Sequence, residues 1–406
     1  MTEVRILRLA AGGDGVGKLP DGKTVFVPRT APGDLVELKT LRDHKRFARA
    51  RPGRLLEPSP DRVDPRCPHY VRDDCGGCQV QHIGYETQLV IRRSLVGDAV
   101  RRLGKRRVDD PSIVPAGRIY DYRTKLTLHV AEGGRRIGLH PYQRPDEVFD
   151  LERCHITVPQ LMSLWQTVRA LRSLLPPRLL QIVLRLDRSG GRHLVLRVDE
   201  GEVWSGFERL GKELERRQTP ATIWYQPKGG AARAVAGAGE AFPATVFEQV
   251  HPEMGDKVRT FALEELGTVS GRRVWDLYAG IGETTVQLIE RGATVESVEL
   301  DRRAVAEAEA RGPAARRHVG RVEDLLKELR APDLVVANPP RTGMDERVAA
   351  ELNRLAPERL VYISCDPATL ARDLQRLERF TISKLHAFDL FPQTTHVETV
   401  AVLEPV

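Results

Sequence analysis

From residue 272 to the C-terminus, short apolar runs alternate with segments of helical spacing, and this alternation restricts the fold more than any other feature. Strand candidates are 274–278, 295–300, 317–319, 334–337, 360–364, 381–388 and 397–403, with helical candidates between most of them. Seven strands interleaved with helices predict an α/β, doubly wound, Rossmann-like sheet that takes its ligand at the carboxyl edge.

The front of the chain follows a different rule. Residues 1–56 show period-two alternation, as in Val4-Arg5-Ile6-Leu7 and Lys23-Thr24-Val25-Phe26-Val27, cut by Gly, Pro and Asp. That pattern predicts a small β-barrel, an architecture that often binds oligonucleotides. The run Lys45-Arg46-Phe47-Ala48-Arg49-Ala50-Arg51 interleaves an aromatic ring with cations, as an RNA-contacting surface does. Residues 1–60 hold 12 Lys/Arg against 7 Asp/Glu, whereas residues 266–406 hold 19 against 22, so the front suits a polyanion.

Pro58, Pro60 and Pro65 mark a linker into a cysteine-containing segment, after which Leu89, Val96, Val100 and Leu103 keep helical spacing while Arg92, Arg93, Arg101 and Arg102 face elsewhere. Residues 115–265 mix strand-like and helix-like segments. The expected division is 1–57 for the barrel, 58–265 for a central α+β domain and 266–406 for the doubly wound domain.

No apolar run reaches the length of a membrane span, and the N-terminal segment carries an acid at once without a long apolar stretch. A secretory leader and a membrane partner are therefore not expected. Five cysteines, three of them within twelve residues, resemble metal or redox sites of a reducing compartment, so a cytoplasmic protein is expected. A monomer without an obligate protein partner is the default.

The segment Val274-Trp275-Asp276-Leu277-Tyr278-Ala279-Gly280-Ile281-Gly282 places an acid near a strand end before a G-x-G turn. Thr285 stands where the dinucleotide fingerprint has its third glycine, which disfavours a pyrophosphate ligand. Glu299 ends the next strand, where a carboxylate accepts both hydroxyls of a ribose. Together these residues suggest S-adenosylmethionine, bound by Asp276, Gly280, Gly282 and Glu299.

Ser364-Cys365-Asp366-Pro367 lies where a strand stops and a helix begins, a position expected to lower the thiol pKa. Ala337-Asn338-Pro339-Pro340-Arg341 follows another strand at the same edge, and Phe391-Pro392-Gln393-Thr394-Thr395-His396-Val397-Glu398 brings an acid to the opening of the last strand. A nucleophile, a base and a polar reader converge on one rim.

These segments identify a resemblance. With Gly12–Val27, Pro58–Val63, Cys75-Gly76-Gly77-Cys78, Gln81-His82, Tyr122-Arg123-Thr124-Lys125 and Phe247-Glu248-Gln249-Val250, the chain resembles the RNA uracil-5-methyltransferase family. The likeness is to its iron–sulfur branch, which has an N-terminal OB-like TRAM barrel. The resemblance implies a Cys365 thiolate adding to carbon 6 of uracil, methyl transfer to carbon 5, and removal of the carbon 5 proton by Glu398. It also implies that Gln249 and Tyr278 line the cofactor and base pocket, with Asp324 toward the adenine.

Two residues depart from the family pattern. Asn338 replaces the usual Asp; its amide complements the N–H and C=O of uracil. It also resembles the Asn-Pro-Pro motif of enzymes that methylate exocyclic amines. Glu283 stands where several relatives carry a neutral side chain.

Cys67, Cys75 and Cys78 need a fourth partner, and Cys154 is the other free candidate. Four thiolates suit a structural zinc or an iron–sulfur cluster by spacing; the resemblance implies a 4Fe-4S cluster acting as a structural staple. Residues 71–74 lengthen the first gap and are expected to bulge outward, with His69, His82 and His155 outside the ligand set.

The leading expectation is carbon 5 methylation of a uridine in structured RNA, ribosomal before transfer RNA. Methylation of an exocyclic amine, and a silent RNA-binding role, are the alternatives.

Overall fold

The computed structural model describes residues 2–131, 133–134, 136–199, 204–237, 248–312 and 315–406. Five strands form the N-terminal barrel: β1 (Glu3–Leu9), β2 (Gly15–Lys18), β3 (Thr24–Val27), β4 (Leu35–Asp43) and β5 (Phe47–Glu57). They close in the order β1-β2-β3-β5-β4. Alternation supplies the interior, since Val4, Ile6, Val25, Val27, Val36, Leu38, Ala48 and Ala50 form its buried core. On the outside, Phe47 stacks on His44 and meets Phe26 edge-on, with Arg49 over the Phe26 ring.

Two helices follow, α1 (Pro68–Arg72) and α2 (Tyr85–Arg102), then a short strand β6 (Ser112–Val114). The central sheet holds β7 (Lys125–Val130), β8 (Ile137–Leu139), β9 (Phe149–Asp150), β10 (Leu179–Leu186), β11 (Arg192–Val198), β12 (Thr222–Pro227) and β13 (Arg233–Ala236). One of its faces packs under α3 (Pro159–Ala170) and α4 (Phe207–Arg216). There Leu161, Leu164, Trp165 and Leu214 meet Leu128, Ile182, Leu184 and Leu194 in a common core.

Helix α5 (Pro252–Leu266) leads into the C-terminal sheet. Its strands are β14 (Arg273–Leu277), β15 (Thr294–Glu299), β16 (Arg316–Val319), β17 (Leu334–Ala337), β18 (Arg359–Ser364), β19 (Phe380–Phe388) and β20 (Glu398–Pro405). Helices α6 (Glu283–Glu290), α7 (Arg302–Arg311), α8 (Val322–Leu325), α9 (Glu346–Leu355) and α10 (Pro367–Arg376) connect them. Both faces are buried because successive residues serve opposite layers: Trp275, Val335 and Leu360 join one core, Val274, Val336 and Val361 the other.

All seven expected strands are present, but the sheet has eight. Its order is β16-β15-β14-β17-β18-β20-β19-β6, with β6 pairing parallel to β19. The catalytic layers also recruit α5, through Met254, Val258 and Leu263, and α2, through Val100. The C-terminal unit therefore draws on chain before residue 266. The reason is physical: the outer edge of β19 carries backbone groups that β6 pairs, and the two sheet faces are apolar surfaces that α2 and α5 cover.

Helix α2 differs from its expected pattern at two places. Arg92 is buried at 1% exposure, whereas Leu103 is 52% exposed. Arg92 points inward because Asp389 lies 3.5 Å away and Thr394 O and Gln88 Oε1 accept from its Nη2. No helix among the described residues is long and apolar enough to cross a membrane.

Candidate active site

In the C-terminal sheet β14 pairs parallel with β15 on one side and β17 on the other, so the strand order reverses about β14. Such a switch point opens a crevice. Here it is a cavity of about 1400 Å³ that reaches from the β14–α6 turn to the cysteine segment. Cys365, Glu398, Gln249, Tyr278, Gly280, Glu299 and Asn338 line it, as do Cys67, Cys75, Cys78 and Cys154.

The turn after β14 is shaped by left-handed residues: Tyr278 has φ 63°, Gly280 φ 56° and Gly282 φ 76°. Gly280 borders open space and donates its N–H to Glu299 Oε2 at 2.9 Å. The other Glu299 oxygen accepts from Asp301 N at 2.8 Å, which fixes the carboxylate on the cavity wall. Asn338 is exposed into the cavity, and its side-chain amide has no partner among the described residues.

Three expected cofactor residues do not line the cavity. Asp276 is 2% exposed and accepts from Thr285 Oγ1 at 2.5 Å, so it ties β14 to α6 beneath the turn. Burial pushes its carboxyl up to about 6. Gly282 serves packing: a Cβ there would stand 2.9 Å from Ala308 Cβ on α7. Asp324 is exposed and pairs with Arg347 at 3.0 Å, while its neighbour Glu323 takes the place on the cavity wall. Of the Phe247–Val250 motif, Phe247 lies outside the described residues.

Glu283, the departure at the start of α6, has an electrostatic account. Its carboxylate is held by Arg188 at 2.8 Å and by Arg259, which also bonds Asp256. Two guanidinium groups compensate a charge that a neutral residue would not bring. Arg188 lies between β10 and β11, so the pair also joins the central sheet to the cofactor turn.

Cys365 lies between β18 and α10 and is half-buried. The expectation of a lowered thiol pKa is corrected: it is pushed up to about 11 by burial and by the nearby Glu398. The α10 N-terminus does not offset this, because its cap Asp366 already accepts from Ala368 N and Thr369 N. Glu398 is 2% exposed, and burial raises its carboxyl to about 8. Its Oε2 has no hydrogen-bond partner among the described residues. Arg341, the cation that closes the Asn338–Arg341 motif, draws both pKa values down.

The cysteines gather at the far end of the cavity. All four are free thiols, and Cys67, Cys75 and Cys78 are buried. Burial and mutual repulsion raise the thiols of Cys67, Cys75 and Cys78, that of Cys75 to about 12. Backbone N–H groups of His69, Tyr70 and His155 face the Cys67 sulfur, and Gly77 N approaches Cys75 Sγ at 3.4 Å. Among the described residues, no group of three or more His, Cys, Asp or Glu is arranged to hold a metal ion. The 71–74 insertion forms the end of α1 and the turn after it, with Val71 70% exposed as expected of an outward bulge. His69 bonds Asp73 and accepts from Glu152 N, and His82 bonds Tyr70.

Comparison with known proteins bears on this site. Residues 2–52 match the TRAM domain model, and residues 294–406 match the tRNA (Uracil-5-)-methyltransferase model. The chain is 31% identical to 23S rRNA (uracil(1939)-C(5))-methyltransferase RlmD of Thiobacillus denitrificans, over 99% of both chains. It belongs to the RNA uracil-5-methyltransferase family. An uncharacterized RNA methyltransferase of Thermotoga maritima is 32% identical over 99% of both chains. The tRNA (uracil-54, C5)-methyltransferase of Pyrococcus abyssi, solved with S-adenosyl-L-homocysteine, shares the fold: its TM-score is 0.78 across 99% of both chains, at 23% identity. Within the family pattern, Glu323 and the Arg188–Arg259 pair that holds Glu283 were passed over by sequence reasoning, and Arg341 was quoted in its motif without a role of its own. A cation closing the Asn-Pro-Pro-Arg motif was the available signal for that role.

Proposed function

We propose that this protein methylates carbon 5 of a uridine in ribosomal RNA, with Cys365 as nucleophile and Glu398 as base. The observation that carries the reading is the convergence of a thiol and an unpartnered buried carboxyl on one cavity wall, beside Arg341. S-adenosylmethionine, when bound, supplies the methyl group. Gly280, Glu299, Tyr278 and Gln249 would hold it, since they line the cavity at the switch point and Glu299 faces it as a fixed carboxylate.

Carbon 5 of uracil is a weak nucleophile. The Cys365 thiolate adds to carbon 6, and the ring electrons move toward oxygen 4, so that carbon 5 carries carbanion character. After methylation carbon 5 bears both a proton and the new methyl group. The Glu398 carboxylate removes that proton, the carbon 5–carbon 6 double bond re-forms, and the carbon 6–sulfur bond breaks to release Cys365. A carboxyl raised to about 8 holds the abstracted proton well at neutral pH. Arg341 stabilises both anions that the cycle requires. Asn338, with its amide unengaged, would read the N–H and C=O edge of a uracil turned out of its stack.

The β1–β5 barrel and the basic first two-thirds of the chain would grip the RNA backbone. We also assign Cys67, Cys75, Cys78 and Cys154 to a 4Fe-4S cluster. What supports the assignment is the chemistry of the donors, four free cysteines at one end of the cavity with N–H groups facing the Cys67 and Cys75 sulfurs, although their arrangement in the described structure does not itself form a metal-holding group. A cluster would supply charge compensation and a cross-link, with no electron transfer in the reaction.

A Cys365→Ala protein should form neither 5-methyluridine nor a covalent RNA adduct; undiminished methylation by it would overturn the reading, since amine methylation needs neither Cys365 nor Glu398. Methylation mapping of RNA from cells lacking the protein, compared across ribosomal and transfer RNA, tests the substrate class. Anaerobic reconstitution should load iron and sulfide into the wild type and not into Cys78→Ser.

A further inference from the structure

Glu398 is aimed by its backbone alone. Neither carboxylate oxygen has a hydrogen-bond partner among the described residues, and Oε2 is buried. Glu398 opens β20, where the sheet pairs it with Phe388 of β19, and its approach to that rung is set by the loop that delivers it, residues 391–397. That loop is held from outside its own sheet. Tyr122 Oη donates to Pro392 O at 3.0 Å, and Thr395 Oγ1 donates to Ala11 O of the barrel at 2.6 Å. Buried Arg92 donates to Thr394 O at 2.7 Å.

The centre of this clasp is Gln393. It is 2% exposed and sits at φ 69°, a left-handed conformation that a non-glycine residue adopts only where its surroundings hold it. Its carbonyl accepts two N–H groups, from Gln79 at 3.1 Å and Val80 at 3.2 Å, the two residues after Cys78. Its side-chain Oε1 accepts from Gln88 Nε2 at 3.1 Å, and its own N–H donates to Gln88 Oε1 at 3.3 Å. Gln88 is in turn anchored to Val80 O and Ile83 O.

We infer that Gln393 is a positioning residue for Glu398, its side chain locking the loop to Gln88 while its carbonyl takes the N–H groups of Gln79 and Val80. Cys365 is held separately, between β18 and the capped start of α10. Loosening the clasp should therefore spare addition to carbon 6 and methyl transfer, and slow the removal of the carbon 5 proton. Elimination of Cys365 depends on that removal, so the methylated covalent adduct should persist. The inference rests on the proposed function, because it assigns the proton-abstraction step to Glu398.

The test is single-turnover kinetics of Gln393→Ala with a target RNA and radiolabelled S-adenosylmethionine. It follows adduct formation and adduct decay separately, with thermal midpoint and iron content measured alongside. The expected result is adduct formation within twofold of wild type and decay slowed at least tenfold, at unchanged iron content. Decay at the wild-type rate, or formation and decay slowed by the same factor, would overturn the inference. Should Gln393→Ala fail to fold, Gln393→Asn tolerates φ 69° but is too short to reach Gln88. It should slow decay about threefold, and unchanged decay would overturn the inference equally. If wild type forms no adduct at all, it is the proposed function that fails, and the two failures are told apart.

Discussion

Cys365 and Glu398 occupy the rung just beyond the last paired rung of β18 and β20, where Ser364 faces Thr399 in antiparallel register. The thiol leaves one strand at the point where the carboxyl enters its neighbour. Adjacent strands lie about 4.8 Å apart, so the two groups stand on one edge within reach of a single pyrimidine ring.

The first prediction concerns pH. The Cys365 thiol is raised to about 11 and the Glu398 carboxyl to about 8, and the cycle needs both deprotonated. Methylation should therefore accelerate as pH rises, at least tenfold between about pH 6 and pH 8.5. In Arg341→Met, which removes the cation that lowers both groups, the rise should move to higher pH. A pH–rate profile of single-turnover methylation checks this; a flat or falling profile in the wild type would contradict it.

A second prediction follows from the burial of Glu398. Its folded-state pKa of about 8 lies above the unfolded value, so the buried neutral carboxyl is favourable below about pH 4.5. That contribution is lost progressively as pH rises toward 8, because the unfolded chain ionises first. Glu398→Gln should thus be more stable than wild type at pH 8.5, by on the order of 3 kcal/mol, and nearly equal to it at pH 5. Denaturant titrations at the two pH values measure the difference.

Asp389 and Arg92 supply a third. Their side chains are 0% and 1% exposed and 3.5 Å apart, and Tyr85 Oη donates to Asp389 at 2.7 Å. Asp389→Asn leaves the guanidinium buried without a counter-charge and should cost about 3–5 kcal/mol. Replacing Arg92 by Leu in the same protein should recover a large part of that loss. Urea unfolding of the single and double variants decides the point.

The fold was largely legible in local pattern. Period-two alternation located the barrel, whose interior is lined by the same Val, Ile and Ala residues that alternate in sequence. The seven C-terminal strands were readable because each is short, apolar and bounded by helical spacing. Strand β6 was not, since three residues carry no periodic signal and its pairing partner, β19, lies more than 260 residues away. Cys365, Glu398 and the four clustered cysteines, singled out because their neighbours form motifs, all line the cavity. Asp276 and Glu299 looked alike as acids near strand ends, yet only Glu299 reaches the cavity. Asp324 and Glu323 are adjacent, and the rotation of one short helix decides which faces inward.

The sequence by itself determined the layer order, the position of the turn after β14 and the motif that carries Cys365, because these depend on periodicity and on residues close together in the chain. Tertiary structure decided the electrical state of the site and the aim of its base. The Cys365 thiol is raised, not lowered, because burial, Glu398 and a satisfied helix cap outweigh a helix terminus. Glu398 is directed through Gln393 by Gln79, Val80 and Gln88, residues some 300 positions earlier. Desolvation and long-range hydrogen bonds are properties of the packed chain, and no local pattern carries them.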